Sequence, residues 1–111
     1  MRSALFPLLT ALVLIAPACE SEDDDDGTAD PNRASAIAAL QGDAASGETL
    51  YQEQCAACHG ADGSGGSGPR IAGESKGSTI NACLVGPDEM PSYDHFEDQE
   101  LADIAQYVSE L

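Results

Sequence analysis

Residues 55 to 59 read Cys-Ala-Ala-Cys-His, and no other stretch of the chain narrows its fold as far. Cys-x-x-Cys-His is the attachment pattern for c-type haem. At the end of a helix, two cysteines three apart reach two vinyl groups on one porphyrin edge. The adjacent histidine then points its imidazole at the iron from one face. Two other chemistries use cysteines at this spacing. A redox dithiol of the thioredoxin type calls for a strand–helix–strand context, and the sequence has none. A structural zinc site calls for four ligands, and a second Cys/His pair is missing.

A covalently held cofactor also answers a problem of size. The chain has 111 residues, of which only about 70 remain for a folded domain once the N-terminal segments are set aside. A domain so small has a thin core and needs a staple, a metal or a cofactor.

The N-terminal segments are distinct in composition. An apolar run from Ala4 to Ala16 follows Arg2 and precedes Ala16-Pro17-Ala18. That is the order of a secretory signal peptide, and the run falls short of the roughly 20 apolar residues that span a bilayer. Residues 1–18 are therefore read as a signal peptide and residues 19–42 as an acidic, disordered linker. Glu20 to Asp30 offers no aromatic or branched aliphatic side chain to bury. Within the linker, Ala34 to Leu40 is expected to be at most briefly helical. All 20 acidic residues lie beyond the leader, against Arg33, Arg70 and Lys76. Such a surface repels nucleic acid and favours a partner with a basic docking patch, steered electrostatically and weakened by salt. Solubility, or adaptation to a salty environment, accounts for the same charge equally well.

Residues 43–111 form the domain, which reads as all-α. A first helix is predicted over Ala44–Gln54 with Asp43 as its N-cap. A second runs over Ser78–Val85, where Gly86 and Pro87 stop it. A third runs from Asp98 or Gln99 to the C-terminus, with Leu101, Ile104, Ala105, Val108 and Leu111 in one stripe. Between the first two lies a loop with five glycines in Gly60–Gly68. No run alternates with the period of a strand.

Over its whole length the domain resembles the class I c-type cytochromes. The resemblance is carried by Gly47 and Tyr51 ahead of Cys55-Ala-Ala-Cys-His59, by Gly60-Ala-Asp-Gly-Ser-Gly65, by Gly68-Pro-Arg-Ile-Ala-Gly73, and by Gly86 four residues before Met90-Pro91. It implies a small cytochrome c fold, three main helices around one covalent haem. Cys55 and Cys58 would carry the porphyrin and His59 would ligate the iron. The Pro69 carbonyl would accept the His59 Nδ1 hydrogen, leaving Nε2 for the metal. The small Gly47 would let the last helix cross closely, with Ile104 and Tyr107 as partners.

Met90 is the sixth-ligand candidate that the resemblance points to. His95, in a polar run, and a water-ligated site are the alternatives. Histidine–methionine ligation raises the reduction potential and leaves no open position on the iron. The function implied is electron transfer by a carrier rather than an enzyme, between redox partners outside the cytoplasmic membrane. Two other readings stay open: a haem sensor or peroxidase-like domain with a dissociable sixth ligand, and an electron-entry subunit of a larger complex. Arg70 and Tyr93 are candidates for contact with a haem propionate, or simply for surface exposure and core packing.

Two cysteines lie outside the motif. Cys19 follows the leader as the lipidated cysteine of a bacterial lipoprotein does, although Ala16 stands where that pattern favours leucine. The same Ala-x-Ala suits ordinary cleavage. With lipid, the chain would be anchored on the periplasmic side of a bacterial membrane, as a monomer or as a subunit of a complex. Cys83 reads as a small buried hydrophobe, with a disulfide to an unlipidated Cys19 as the rival.

Overall fold

The computed structural model describes residues 29–111. Five helices follow one another: α1 (Pro31–Ala39), α2 (Ala44–Gln54), α3 (Ala56–His59), α4 (Lys76–Val85) and α5 (Asp98–Ser109). Among the described residues there is no strand, and no helix is long and apolar enough to cross a membrane.

Helix α2 keeps the bounds expected from its sequence. The Asp43 carboxylate accepts from the Ala45 and Ser46 amides, satisfying donors that the first turn leaves free. Helix α4 begins two residues earlier than expected, because the Ser75 hydroxyl accepts from the Ser78 amide and caps the turn ahead of the apolar residues. Helix α5 opens with a reciprocal capping box between Glu97 and Glu100. Its apolar stripe is buried from Leu101 to Val108.

Helices α2 and α5 cross at Gly47. A β-carbon there would overlap the Asp103 carbonyl and lie 3.0 Å from the Tyr107 β-carbon. Glycine is thus what allows the two helices to touch. Beside the crossing, the Tyr51 and Tyr107 rings lie 5.3 Å apart. Tyr51, Cys55, Ile104 and Val108 form one apolar cluster. The buried Asp103 carboxylate is not orphaned: it accepts from the Asp43 amide and from Gln99 Nε2, both at 2.8 Å.

The second apolar cluster contains a difference from the sequence expectation. It joins α4 and α5 to α1, with Ile37 fully buried beside Ile80, Cys83, Leu84 and Leu101. Residues 31–39 of the expected disordered linker are therefore a docked helix. Asp30 caps it, its side chain accepting from the Asn32 amide, and Pro31 occupies the first turn. Arg33 adds a polar clamp. Its Nε donates to Asp98 Oδ1 at 3.0 Å, and its two terminal nitrogens donate to the Asp94 and Phe96 carbonyls at 2.6 and 2.9 Å. One buried isoleucine and three hydrogen bonds outweigh an otherwise polar composition, which by itself argues for disorder. Residues 1–28 lie outside the described residues, and with them the expected signal peptide, Cys19 and the run of acids.

Candidate haem site

Helix α2 ends at Cys55, whose amide still bonds to the Tyr51 carbonyl at 2.8 Å. The chain then starts the single turn α3, so both cysteines and the histidine stand on one short helical step. Cys55 is buried, Cys58 exposed and His59 only 8% exposed. Burial, and next the neighbouring Cys58, pushes the free Cys55 thiol up to about 11. An activated redox dithiol shows the opposite, a thiolate favoured by its surroundings. Nor do three His, Cys, Asp or Glu side chains converge among the described residues as a zinc site would require.

The glycine-rich loop shapes the next part of the site. Gly60 takes a left-handed φ of 84° and ends α3, while the Gly65 and Gly68 amides donate back to the His59 and Cys58 carbonyls at 2.7 and 2.8 Å. A β-carbon on Gly68 would stand 3.0 Å from the imidazole, so the loop lies flat against the ring. This brings the Pro69 carbonyl to 2.7 Å from His59 Nδ1. A carbonyl only accepts, so Nδ1 carries the hydrogen and Nε2 keeps its lone pair. The Tyr51 hydroxyl, donating to the Gly60 carbonyl at 2.6 Å, ties the start of the loop to α2.

The opposite wall is built from the segment after α4. Gly86, at φ 65°, caps that helix in the left-handed region. A β-carbon on it would meet the Ser92 amide and the Met90 carbonyl, so glycine also lets the next residues fold back. They satisfy carbonyls at the helix end: the Tyr93 amide donates to Cys83 at 2.6 Å, and the Ser92 hydroxyl to Leu84 at 2.8 Å. The buried Tyr93 then donates its hydroxyl to the Gln54 carbonyl at 3.1 Å, linking this segment to the residue before Cys55.

These walls enclose a cavity of about 900 Å³, lined by Cys55, Cys58, His59, Pro69 and Met90 together with Ile71, Ile104 and Val108. The volume lies at the upper end of the range for small-molecule and cofactor sites. Two thiols, an imidazole with a free Nε2 and a thioether on apolar walls form a donor set suited to a covalently attached haem. Tyr93, Cys83 and Arg70 line the same cavity. The rival ligand His95 does not. It is exposed, 3.9 Å from the Asp94 carboxylate and stacked edge-on against Phe96. Exposed Glu74, Asp88 and Glu89 stand on the cavity rim with Arg70.

Sequence reasoning missed three contributors. The tie from Tyr93 to Gln54 ends on a main-chain carbonyl, and so do two of the three hydrogen bonds of the Arg33 clamp; a carbonyl carries no residue signature. Gly86 was read as a helix stop, and its second role in making room for the Met90 segment needs the folded chain.

Residues 42–108 match the family model described as cytochrome c oxidase, cbb3-type, subunit III. A cytochrome c-553-like protein of Synechocystis sp. is 35% identical over 83 residues, covering 69% of this chain and 77% of that protein. Cytochrome c-551 of Bacillus subtilis is 33% identical over 116 residues, covering 99% of this chain and 98% of its own.

Proposed function

The chain belongs to the small class I c-type cytochromes, and on that premise we propose that it shuttles single electrons between redox proteins outside the cytoplasmic membrane through one haem held by Cys55, Cys58, His59 and Met90. Membership brings one covalent haem c with its iron, and makes the chain an electron carrier rather than an enzyme. Its partners are redox proteins or the other subunits of a complex. The observation that carries the finer reading is the convergence of the two thiols, the imidazole and the Met90 thioether on one cavity.

When bound, the haem iron supplies a one-electron couple. The protein's part is to keep that couple fixed, poised and accessible. Cys55 and Cys58 would form the two thioether links. His59 would ligate through Nε2, held in orientation by the hydrogen bond from its Nδ1 to the Pro69 carbonyl. Met90 would supply the second protein ligand through its thioether. Such ligation would favour the ferrous state and raise the potential, and a metal so held would be closed to substrates. Ile71, Ile104 and Val108 exclude water, so little solvent reorganises as charge changes. The exposed Cys58 side of the cavity gives electrons a short way in and out. The acidic rim of Glu74, Asp88 and Glu89 steers a partner with a basic patch.

The position in the cell follows from the sequence at the N-terminus. Residues 1–18 serve as a signal peptide, and Cys19 carries lipid that holds the protein at the periplasmic face of a bacterial membrane. Residues 43–111 are the electron-carrying domain, with α1 as an ordered extension.

Visible spectra of the haem-loaded mature protein and of Met90→Ala test the ligand set. The wild type should be low-spin, with the weak red-edge band of methionine sulfur on ferric iron, and the variant should lose that band. A high-spin wild type, or one that binds carbon monoxide readily, would replace the carrier by a sensor or peroxidase-like domain. Band retention in Met90→Ala would assign the sixth position elsewhere.

A further inference from the structure

Helix α1 lies outside residues 42–108, the part that matches the family model, yet its one cation reaches the loop that carries Met90. We propose that Arg33 is a positioning residue for Met90: its guanidinium ties α1 to the segment between Met90 and α5, and so keeps that segment closed over the haem cavity.

The argument starts from the acceptors. Of the three groups that Arg33 engages, two are main-chain carbonyls, Asp94 at 2.6 Å and Phe96 at 2.9 Å. The third, the Asp98 carboxylate, is at the first residue of α5. An exposed ion pair alone contributes little. A planar guanidinium that holds two carbonyls and a carboxylate at once fixes the path of the backbone, and only arginine has the fork to do it.

That backbone leads directly to Met90. The Phe96 amide donates to the Tyr93 carbonyl at 2.9 Å, and the two rings meet edge-to-face with centroids 5.1 Å apart. Tyr93 is three residues from Met90 and is itself anchored to Cys83 and Gln54. Phe96 and Met90 both pack against the apolar cluster that contains Ile37 of α1. Arg33 therefore holds the far end of the same segment whose near end turns at Gly86. Without it, the stretch from Asp94 to Glu97 keeps the Phe96 turn and the capping box at the start of α5, and nothing ties its Asp94 and Phe96 carbonyls to α1.

The consequence is thermodynamic. An added ligand reaches the iron only when Met90 swings out, so its apparent affinity scales with the population of that open state. Contacts made only in the closed state lower that population. The inference rests on Met90 as the sixth ligand, and the experiment separates the two claims.

Imidazole is titrated into the ferric, haem-loaded protein and followed in the visible spectrum for wild type, Met90→Ala, Arg33→Gln and Asp43→Ala. Asp43 caps α2, and its side chain accepts from the Ala45 and Ser46 amides while its own amide donates to Asp103, so its variant removes a helix cap with no hydrogen bond to the Met90 segment. The expected result is imidazole affinity about tenfold above wild type for Arg33→Gln, from the loss of charge-assisted hydrogen bonds. Asp43→Ala should match wild type, and Met90→Ala should bind tightest of the four. Arg33→Lys keeps the charge but cannot span three acceptors. It carries the same expectation at smaller size and stands in if Arg33→Gln does not fold. Equal affinities in wild type and Met90→Ala would overturn the ligand assignment, and this inference with it. A large Met90→Ala effect, with Arg33→Gln at the wild-type value or no higher than Asp43→Ala, would overturn the positioning role alone.

Discussion

Replacing Ile37 by alanine tests whether α1 belongs to the folded domain. Ile37 is fully buried in the cluster shared by α4 and α5, whereas Leu40, three residues on, is 38% exposed. Both are four-carbon aliphatic side chains on the same nearly featureless stretch. Any difference between their alanine variants therefore reports docking and not composition. Truncating Ile37 removes three carbons, about 2.5 kcal/mol at roughly 0.8 kcal/mol for each buried methylene. A residual cavity adds to that, and collapse of a peripheral helix subtracts from it, so a loss of about 2–3 kcal/mol is expected. For a domain of this size that is a fall in Tm of about 10 to 20 °C. Leu40→Ala should cost less than about 1 kcal/mol. The assay is guanidinium and thermal denaturation of the haem-loaded protein followed by far-ultraviolet circular dichroism. Equal losses for the two variants, or an Ile37→Ala protein within about 0.5 kcal/mol of wild type, would show that α1 does not dock and would remove the basis for the Arg33 clamp.

Two further outcomes follow. Burial pushes the Cys83 thiol up to about 12 from 9.0. Below pH 9 the thiol is protonated whether or not the chain is folded, and it adds no pH dependence. Between pH 9 and about 12 the unfolded chain gives up the proton first, so this group lowers stability as pH rises. The matching kinetic signature is alkylation of Cys83 at pH 9 that is at least about 100-fold slower in the folded than in the denatured protein; comparable rates would contradict its burial. The acidic rim predicts that electron exchange with a basic redox protein slows about tenfold or more between roughly 10 mM and 0.2 M salt, as measured by rapid mixing. A rate independent of salt would remove the basic partner.

The elements that were legible in the sequence are those in which one signal dominates. Helix α5 has an uninterrupted apolar stripe, and α2 has an aspartate cap followed by Gly47 and Tyr51 on one face. The haem motif was legible because attachment chemistry fixes both residue type and spacing. The all-α class followed from the lack of any alternating run. Helix α1 was largely missed, although Asp30-Pro31 is a good start signal, because a single large buried side chain leaves no periodicity to detect. Helix α3 is one turn long, too short for any pattern. The first turn of α4, Lys76 and Gly77, is polar and is set by the Ser75 cap alone. In the site and in the Arg33 clamp beside it, the partners hardest to foresee are main-chain atoms: the Gln54, Gly60, Asp94 and Phe96 carbonyls. Every residue type offers the same carbonyl, so only the fold decides which of them faces a donor. The Pro69 carbonyl would have been equally invisible without the resemblance that pointed to it.

The most direct test of the electron-carrier account is spectroelectrochemical titration of the haem-loaded protein beside Met90→His. The account predicts one reversible wave with the slope of a single electron in the wild type. Its midpoint should lie on the order of 100 mV or more above that of the bis-histidine variant, because thioether ligation favours the reduced iron. More than one wave, or a wild-type midpoint equal to that of Met90→His, would contradict a single haem closed by Met90.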